Sequence, residues 1–205
     1  MGITYQIIRG IVFIVVLLIF LLLRLCFRSF FNSRKRRRIL AIAAVIVAVS
    51  ATLFSMMFPI ENLFYSFKTP EEAIMYNYKV EPELIIMGQD SCYVSGRTED
   101  NYSPYEVLSK TEDGWKLGKA YDLSICFTKV LSTEFHITVE RFKDSEDYYI
   151  KVYDYTGIDR VITDKNGTAF VKWYQKGDDR SYLAYVHGFD QNYYIIVDGS
   201  EILME

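Results

Sequence analysis

Two histidines, three cysteines and 26 acids are the side chains from which this 205-residue chain would build a reaction centre or a metal site. His136 and His187 stand far apart, with no HExxH spacing and no cysteine pair beside either, so no metal centre is expected. His136 falls at a polar position of an alternating run and is expected on a solvent face; His187 ends a run. Cys92 and Cys126 either bridge as a disulfide or pack as two free buried thiols. Their apolar, strand-like surroundings favour the free thiols. Acid pairs such as Glu112-Asp113 and Asp178-Asp179 sit in turn sequences, where carboxylates are solvated. A glycosidase needs two carboxylates ~5–9.5 Å apart, a separation that no spacing here encodes. The stretch from Asp159 to Asn166 lacks the closing glutamate of a calcium loop. No catalytic, cofactor-binding or metal-binding residue is assigned, and no cofactor is expected. Asn166-Gly167-Thr168 and Asn101-Tyr102-Ser103 match the glycosylation acceptor pattern; Pro104 weakens the second, and Asn-Gly is also hairpin chemistry.

Tyrosine is the unusual residue, with 16 of 17 lying after residue 58. An exposed tyrosine offers an apolar body with a polar tip, suited to protein or glycan contact. The competing explanation is that tyrosine simply fits pleated surfaces. Tyr174, Tyr182, Tyr185 and Tyr194 are the candidate interaction residues. Tyr182 and Tyr185 differ by three positions, so on a regular strand they face opposite sides, one structural and one open for contact.

These residues must be positioned by what precedes them. Arg34, Lys35, Arg36, Arg37 and Arg38 run directly into the 20-residue apolar stretch 39–58. At the helical rise that stretch spans ~30 Å, the thickness of a bilayer's hydrocarbon core. Five adjacent cations resist translocation and mark the cytoplasmic side. Residues 11–23 form an earlier apolar run flanked by Arg9 and Arg24. Its cations follow the core and no small-residue cleavage site is present, so it reads as a first membrane helix and not as a signal peptide. Arg9 and Arg24 are expected to snorkel to opposite headgroup layers. A re-entrant first segment is the alternative. Gln6 removes the myristoylation motif that Gly2 suggests. The expected anchor, residues 1–58, is a helical hairpin with a basic cytoplasmic loop at 28–38 and Cys26 at the inner face.

Residues 59–68 form an aromatic-rich membrane exit, and 69–205 an extracytoplasmic domain. Eight of the 23 cations and none of the 26 acids precede residue 59, leaving 15 cations against 26 acids, a net charge of −11. Such a domain repels phosphate backbones, so nucleic acid is excluded as its partner. Thr69-Pro70-Glu71-Glu72 is a capping box opening a short helix that ends near Tyr78, ahead of Pro82. Period-two segments follow at 84–88, 92–97, 105–111, 115–119, 135–142, 148–154, 160–163, 168–175, 180–187 and 193–198. Their short connections imply antiparallel neighbours. The expected fold is a two-helix transmembrane hairpin followed by a mainly antiparallel β domain, a meander with one short helix at its start.

The stretch Phe67-Lys68-Thr69-Pro70-Glu71-Glu72-Ala73, with Ser109-Lys110-Thr111-Glu112-Asp113-Gly114-Trp115-Lys116-Leu117, resembles uncharacterised membrane-anchored envelope proteins of Gram-positive bacteria. The resemblance covers residues 67–119 and implies an extracytoplasmic domain; it assigns no functional residue. The expected function is a non-enzymatic, membrane-anchored interaction module whose partners are membrane lipid and a protein or envelope polymer. Two alternatives stand beside it. One is an envelope hydrolase using paired carboxylates. The other is a complex subunit acting through its hairpin, for which Ala41, Ala44, Ala48, Ala51 and Ser55 supply a small-residue face.

Overall fold

The computed structural model describes residues 3–27, 33–98, 103–119, 122–190 and 192–204. Helices α1 (Ile3–Cys26) and α2 (Arg34–Met57) are each 24 residues and long and apolar enough to cross a membrane. The second begins five residues before the apolar run, because arginine and lysine are good helix formers and the Ser33 hydroxyl caps the first turn by accepting from the Arg36 N–H at 3.3 Å. The helices pair as a hairpin, with Arg9 of α1 beside Ser55 of α2. Ala44, Ala48 and Ser55 are buried, while most large apolar side chains of both helices point outward. Small residues thus allow close approach between the two helices. Ala44, Ala48 and Ser55 of that face are used within the hairpin, Ala51 is half-buried and Ala41 is exposed.

A 3-10 turn (Ile60–Leu63) leads to α3 (Pro70–Tyr78). Thr69 Oγ1 accepts from the Glu72 N–H at 3.4 Å, and the Glu72 carboxylate reaches back to the Lys68 N–H at 3.0 Å. The box therefore closes one residue earlier than its usual form. Lys79 ends the helix in the left-handed conformation.

Among the described residues the strands form three antiparallel sheets, not one meander. The first is the meander β1 (Pro82–Met87), β2 (Ser91–Gly96), β3 (Tyr105–Thr111) and β4 (Gly114–Lys116). The second contains β5 (Leu123–Ser132), β6 (Phe135–Phe142), β7 (Asp147–Asp154), β9 (Val171–Lys176) and β10 (Asp179–His187), in the order β5-β6-β7-β10-β9. The third joins β8 (Ile162–Asp164), β11 (Tyr194–Val197) and β12 (Ser200–Leu203), in the order β12-β11-β8. The Asp198–Gly199 turn joins β11 to β12, both residues having positive φ as a tight primed hairpin requires.

The layers explain the burial. Ala73 and Ile74 of α3 pack with Cys92, Val94 and Leu108 on the outer face of the first sheet. Tyr93 and Val107, on its other face, meet Tyr149 and Leu183 of the second sheet. Ile137, Val139, Ile150, Val152 and Tyr182 turn the opposite way and pack with Ile195 and Val197 of the third sheet. The second sheet is thus covered on both faces. This corrects the expectation that His136 faces solvent: it is half-buried and stacked on Tyr153, and of its same-face neighbours on β6 Thr138 is buried and Glu140 half-buried. Cys92 is buried, Cys126 is exposed, and both are free thiols; the pair of buried thiols is corrected at Cys126, which lies on β5. Burial pushes the Cys92 thiol up to about 12, which keeps it protonated.

Candidate functional site

Two features of the structure stand out: the junction between helices and domain, and the open edge of β5. At the junction Arg9, 5% exposed, forms an ion pair with Glu61, 7% exposed. The Arg9 guanidinium also donates to the Ser55 carbonyl at 2.6 Å, and the Tyr76 hydroxyl donates to Glu61 at 2.6 Å. One buried carboxylate therefore ties α1 to α3. This corrects the expectation that Arg9 reaches outward to headgroups, because its charge is met inside the protein. Asn62 adds a second tie, its side chain donating to the Leu117 carbonyl at 2.8 Å and accepting from the Leu117 N–H at 3.0 Å. Phe67 and Trp115 exchange paired backbone bonds of 2.7 Å. With these ties the 59–68 segment is packed structure and not a loose tether.

β5 is the edge strand of the second sheet, paired with β6 on one side and with no strand on the other among the described residues. It is ten residues long, and its register against β6 shifts near Ile125 and again near Val130. Ile125, Val130 and Leu131 are 67%, 69% and 44% exposed. Long, apolar edge strands are normally blunted by charge, proline, bulges or a covering segment, because their free N–H and C=O groups template further pairing; β5 has the two register shifts but neither proline nor a covering strand among the described residues. Here Lys129 is the single charge on the strand, and its ammonium is directed to the Leu203 carbonyl at 2.6 Å. Leu123–Ser132 lies outside the period-two segments expected from the sequence. Leu123, Ile125 and Phe127 alternate with Ser124, Cys126 and Thr128 in the sequence, but Lys129-Val130-Leu131 breaks the period, and the register shift between Ile125 and Phe127 turns Ile125 outward.

The candidate tyrosines do not gather on one open face. Tyr182 is buried, and its hydroxyl accepts from the Arg160 N–H at 2.9 Å. It is corrected from candidate contact to core residue, since the third sheet covers its side of β10. Tyr185 does face the opposite way, toward the first sheet. It is half-buried, donating to Asp147 at 2.8 Å and accepting from the Gln89 N–H at 3.0 Å. Tyr174 and Tyr194 are half-buried on β9 and β11. The basic cluster Arg34, Lys35, Arg36, Arg37 and Arg38 is exposed, at the end of the hairpin remote from the domain. The Asn101 acceptor pattern and the first residues of the basic loop lie outside the described residues.

Between the first and second sheets, charges are spent on structure. Asp147 is fully buried and accepts from Ser91 Oγ at 2.7 Å, the Asp90 N–H at 2.9 Å and the Tyr185 hydroxyl at 2.8 Å, with His187 Nδ1 at 3.1 Å. Burial alone raises this carboxyl, but those bonds outweigh it and hold it below the usual carboxylate range. Lys151 pairs with Glu140 at 2.7 Å, its ammonium 4.4 Å from the centre of the Tyr105 ring.

Glu106 and Asp122 line one cleft of about 320 Å³. Burial pushes the Glu106 carboxyl up to about 7, a range useful to a general acid. Both its oxygens are already occupied, by Asn77 Nδ2 at 2.7 Å and the Gly118 N–H at 3.0 Å, so its evident role is to tie α3 to the first sheet. Among the described residues no three of His, Cys, Asp and Glu converge to hold a metal.

Together these elements define a class: a three-sheet, mostly antiparallel domain clamped onto a pair of long apolar helices. No protein-family model, curated protein or solved structure matches the chain.

Proposed function

We propose that the chain is a non-enzymatic interaction module of the cell membrane, crossing it twice, with the β domain outside and a protein partner added as a strand along β5. The orientation rests on Arg34 to Arg38. Cations in the first turn oppose the helix dipole, a cost set against their good helix propensity; retention on the cytoplasmic side is the role that suits five of them together. The observation that carries the binding role is the open, apolar β5 edge, which suits strand addition, where backbone bonds supply affinity and alternate side chains supply specificity. An extended polypeptide fits such an edge better than a glycan polymer, which has no ladder of amides to offer.

The test is cross-linking of intact cells with a membrane-impermeant amine reagent. A discrete heavier adduct is expected, lost when Val130→Glu and Leu131→Glu place charges on the edge and retained in Val161→Glu, a change at another exposed apolar position. The composition of the adduct separates a second copy from a different protein. An adduct that persists in the double variant contradicts binding through β5.

A further inference from the structure

Beside the Arg9–Glu61 junction lies a groove of about 750 Å³, its wall formed by Ile8 of α1, Phe64 and Tyr65 of the exit segment, and Met75 and Tyr76 of α3. That volume lies within the ~300–1,000 Å³ of ordinary ligand pockets. The wall is nearly all carbon. Of its two carboxylates, Glu61 accepts from Arg9 and Tyr76 through Oε1 while its Oε2 is buried without a hydrogen-bond partner, and Glu72 accepts from the Lys68 N–H. Phe64, Tyr65 and Met75 are 86%, 52% and 51% exposed, a concentration of open apolar surface that marks a binding site.

We infer that this groove holds one acyl chain of a phospholipid drawn from the leaflet next to the domain. The inference rests on the reading that α1 and α2 cross the membrane. Continuity with the apolar flank of α1 selects the occupant. Ile8 lines the groove, and Ile7 and Ile11 on the same helix are 54% and 52% exposed, so the groove opens onto surface that the bilayer itself solvates. An acyl chain slides from bilayer to groove without crossing a polar barrier. A protein segment or a second copy must first displace lipid from that mouth. Aromatic side chains at the exit, Phe64 and Tyr65, suit the interfacial depth that this places them at. A lipid held here packs directly against α3, so leaflet composition acts on the domain through Met75 and Tyr76.

The full chain is reconstituted in phosphatidylcholine vesicles containing a trace of phosphatidylcholine with a diazirine on one acyl chain, irradiated, and its adducts mapped by peptide mass spectrometry. Adducts are expected on both helices and on residues 64–76. Met75→Trp, which fills the groove, and Met75→Glu, which charges it without filling it, should each reduce the 64–76 adducts several-fold and leave those on the helices unchanged. Labelled helices with an unlabelled 64–76 segment, or adducts there indifferent to both variants, overturn the acyl-chain site while leaving the membrane reading intact. Unlabelled helices overturn the membrane reading and the site with it. A benzophenone placed at Met75 that links to a second protein chain in the same vesicles overturns the lipid in favour of a protein occupant.

Discussion

Replacing Asp147 by alanine is expected to lower the stability of the β domain by about 3–5 kcal/mol, the range for breaking a buried, fully bonded charge. The carboxylate is the hub where two sheets meet: it draws in the Asp90 N–H and Ser91 Oγ from the first sheet, and Tyr185 and His187 from the second. Removing it takes an acceptor from the buried Ser91 hydroxyl and from the half-buried Tyr185 hydroxyl, and a buried donor left unpaired costs on the order of 1–3 kcal/mol. The site cannot relax easily, since a Cβ on neighbouring Gly88 would already lie 2.6 Å from Asp147 Oδ2. Because folding lowers this pKa below 3.8, its stabilisation is fully present above that value and is lost as pH falls through the folded-state pKa. Urea unfolding of the full chain in detergent, followed by tryptophan fluorescence, measures both effects. The wild type should lose stability on acidification below about pH 4, and Asp147→Ala should show a smaller acid decline from a lower starting value. A variant with an unchanged midpoint removes Asp147 from its place as the inter-sheet hub.

Glu61→Ala should have an effect of similar size, about 3–5 kcal/mol, because it strands the Arg9 guanidinium in a buried position and takes the acceptor from Tyr76. Here the damage is to coupling between helices and domain. Protease cleavage within residues 59–68 should accelerate in membranes, while the Asp147 hub, which shares no partner with the junction, keeps the sheets folded. Arg9→Met combined with Glu61→Leu should recover most of the protection, since an apolar pair of similar volume replaces a buried ion pair at little cost. Equal cleavage rates in wild type and Glu61→Ala contradict the clamp.

The parts of the fold readable in the sequence are those whose signals are local. The uninterrupted apolar runs mark both helices, Thr69-Pro70-Glu71-Glu72 marks the start of α3, and the alternation of Phe135, Ile137 and Val139 with polar residues marks β6. Burial of the second sheet on both faces is not local. Thr138, Glu140 and Lys151 look like a solvated face, and they are covered only because Lys151 finds Glu140 and two aromatic rings of the first sheet. The same covering assigns Tyr185 to the inter-sheet network, while the third sheet encloses Tyr182: the two face opposite sides, as their spacing implies, but neither is open for contact. β12 was legible in principle, since Asp198-Gly199 is strong hairpin chemistry. β5 carried a usable alternation in its first half, but its status as an open edge depends on sheet order, which no short window of sequence contains.

The most direct measurement of the proposed role is the labelling rate of the native Cys126 thiol by a membrane-impermeant maleimide. Cys126 lies exposed on β5 and Cys92 is buried, so Cys26→Ser leaves one reactive thiol in the domain. A parallel chain carrying Val161→Cys in a background without native cysteines reports orientation alone. In intact cells Val161→Cys should label readily, and Cys126 should label many-fold more slowly than it does in the purified protein, because the partner covers the edge. Failure of Val161→Cys to label until lysis contradicts the outward orientation, and equal Cys126 rates in cells and in purified protein contradict a partner on β5.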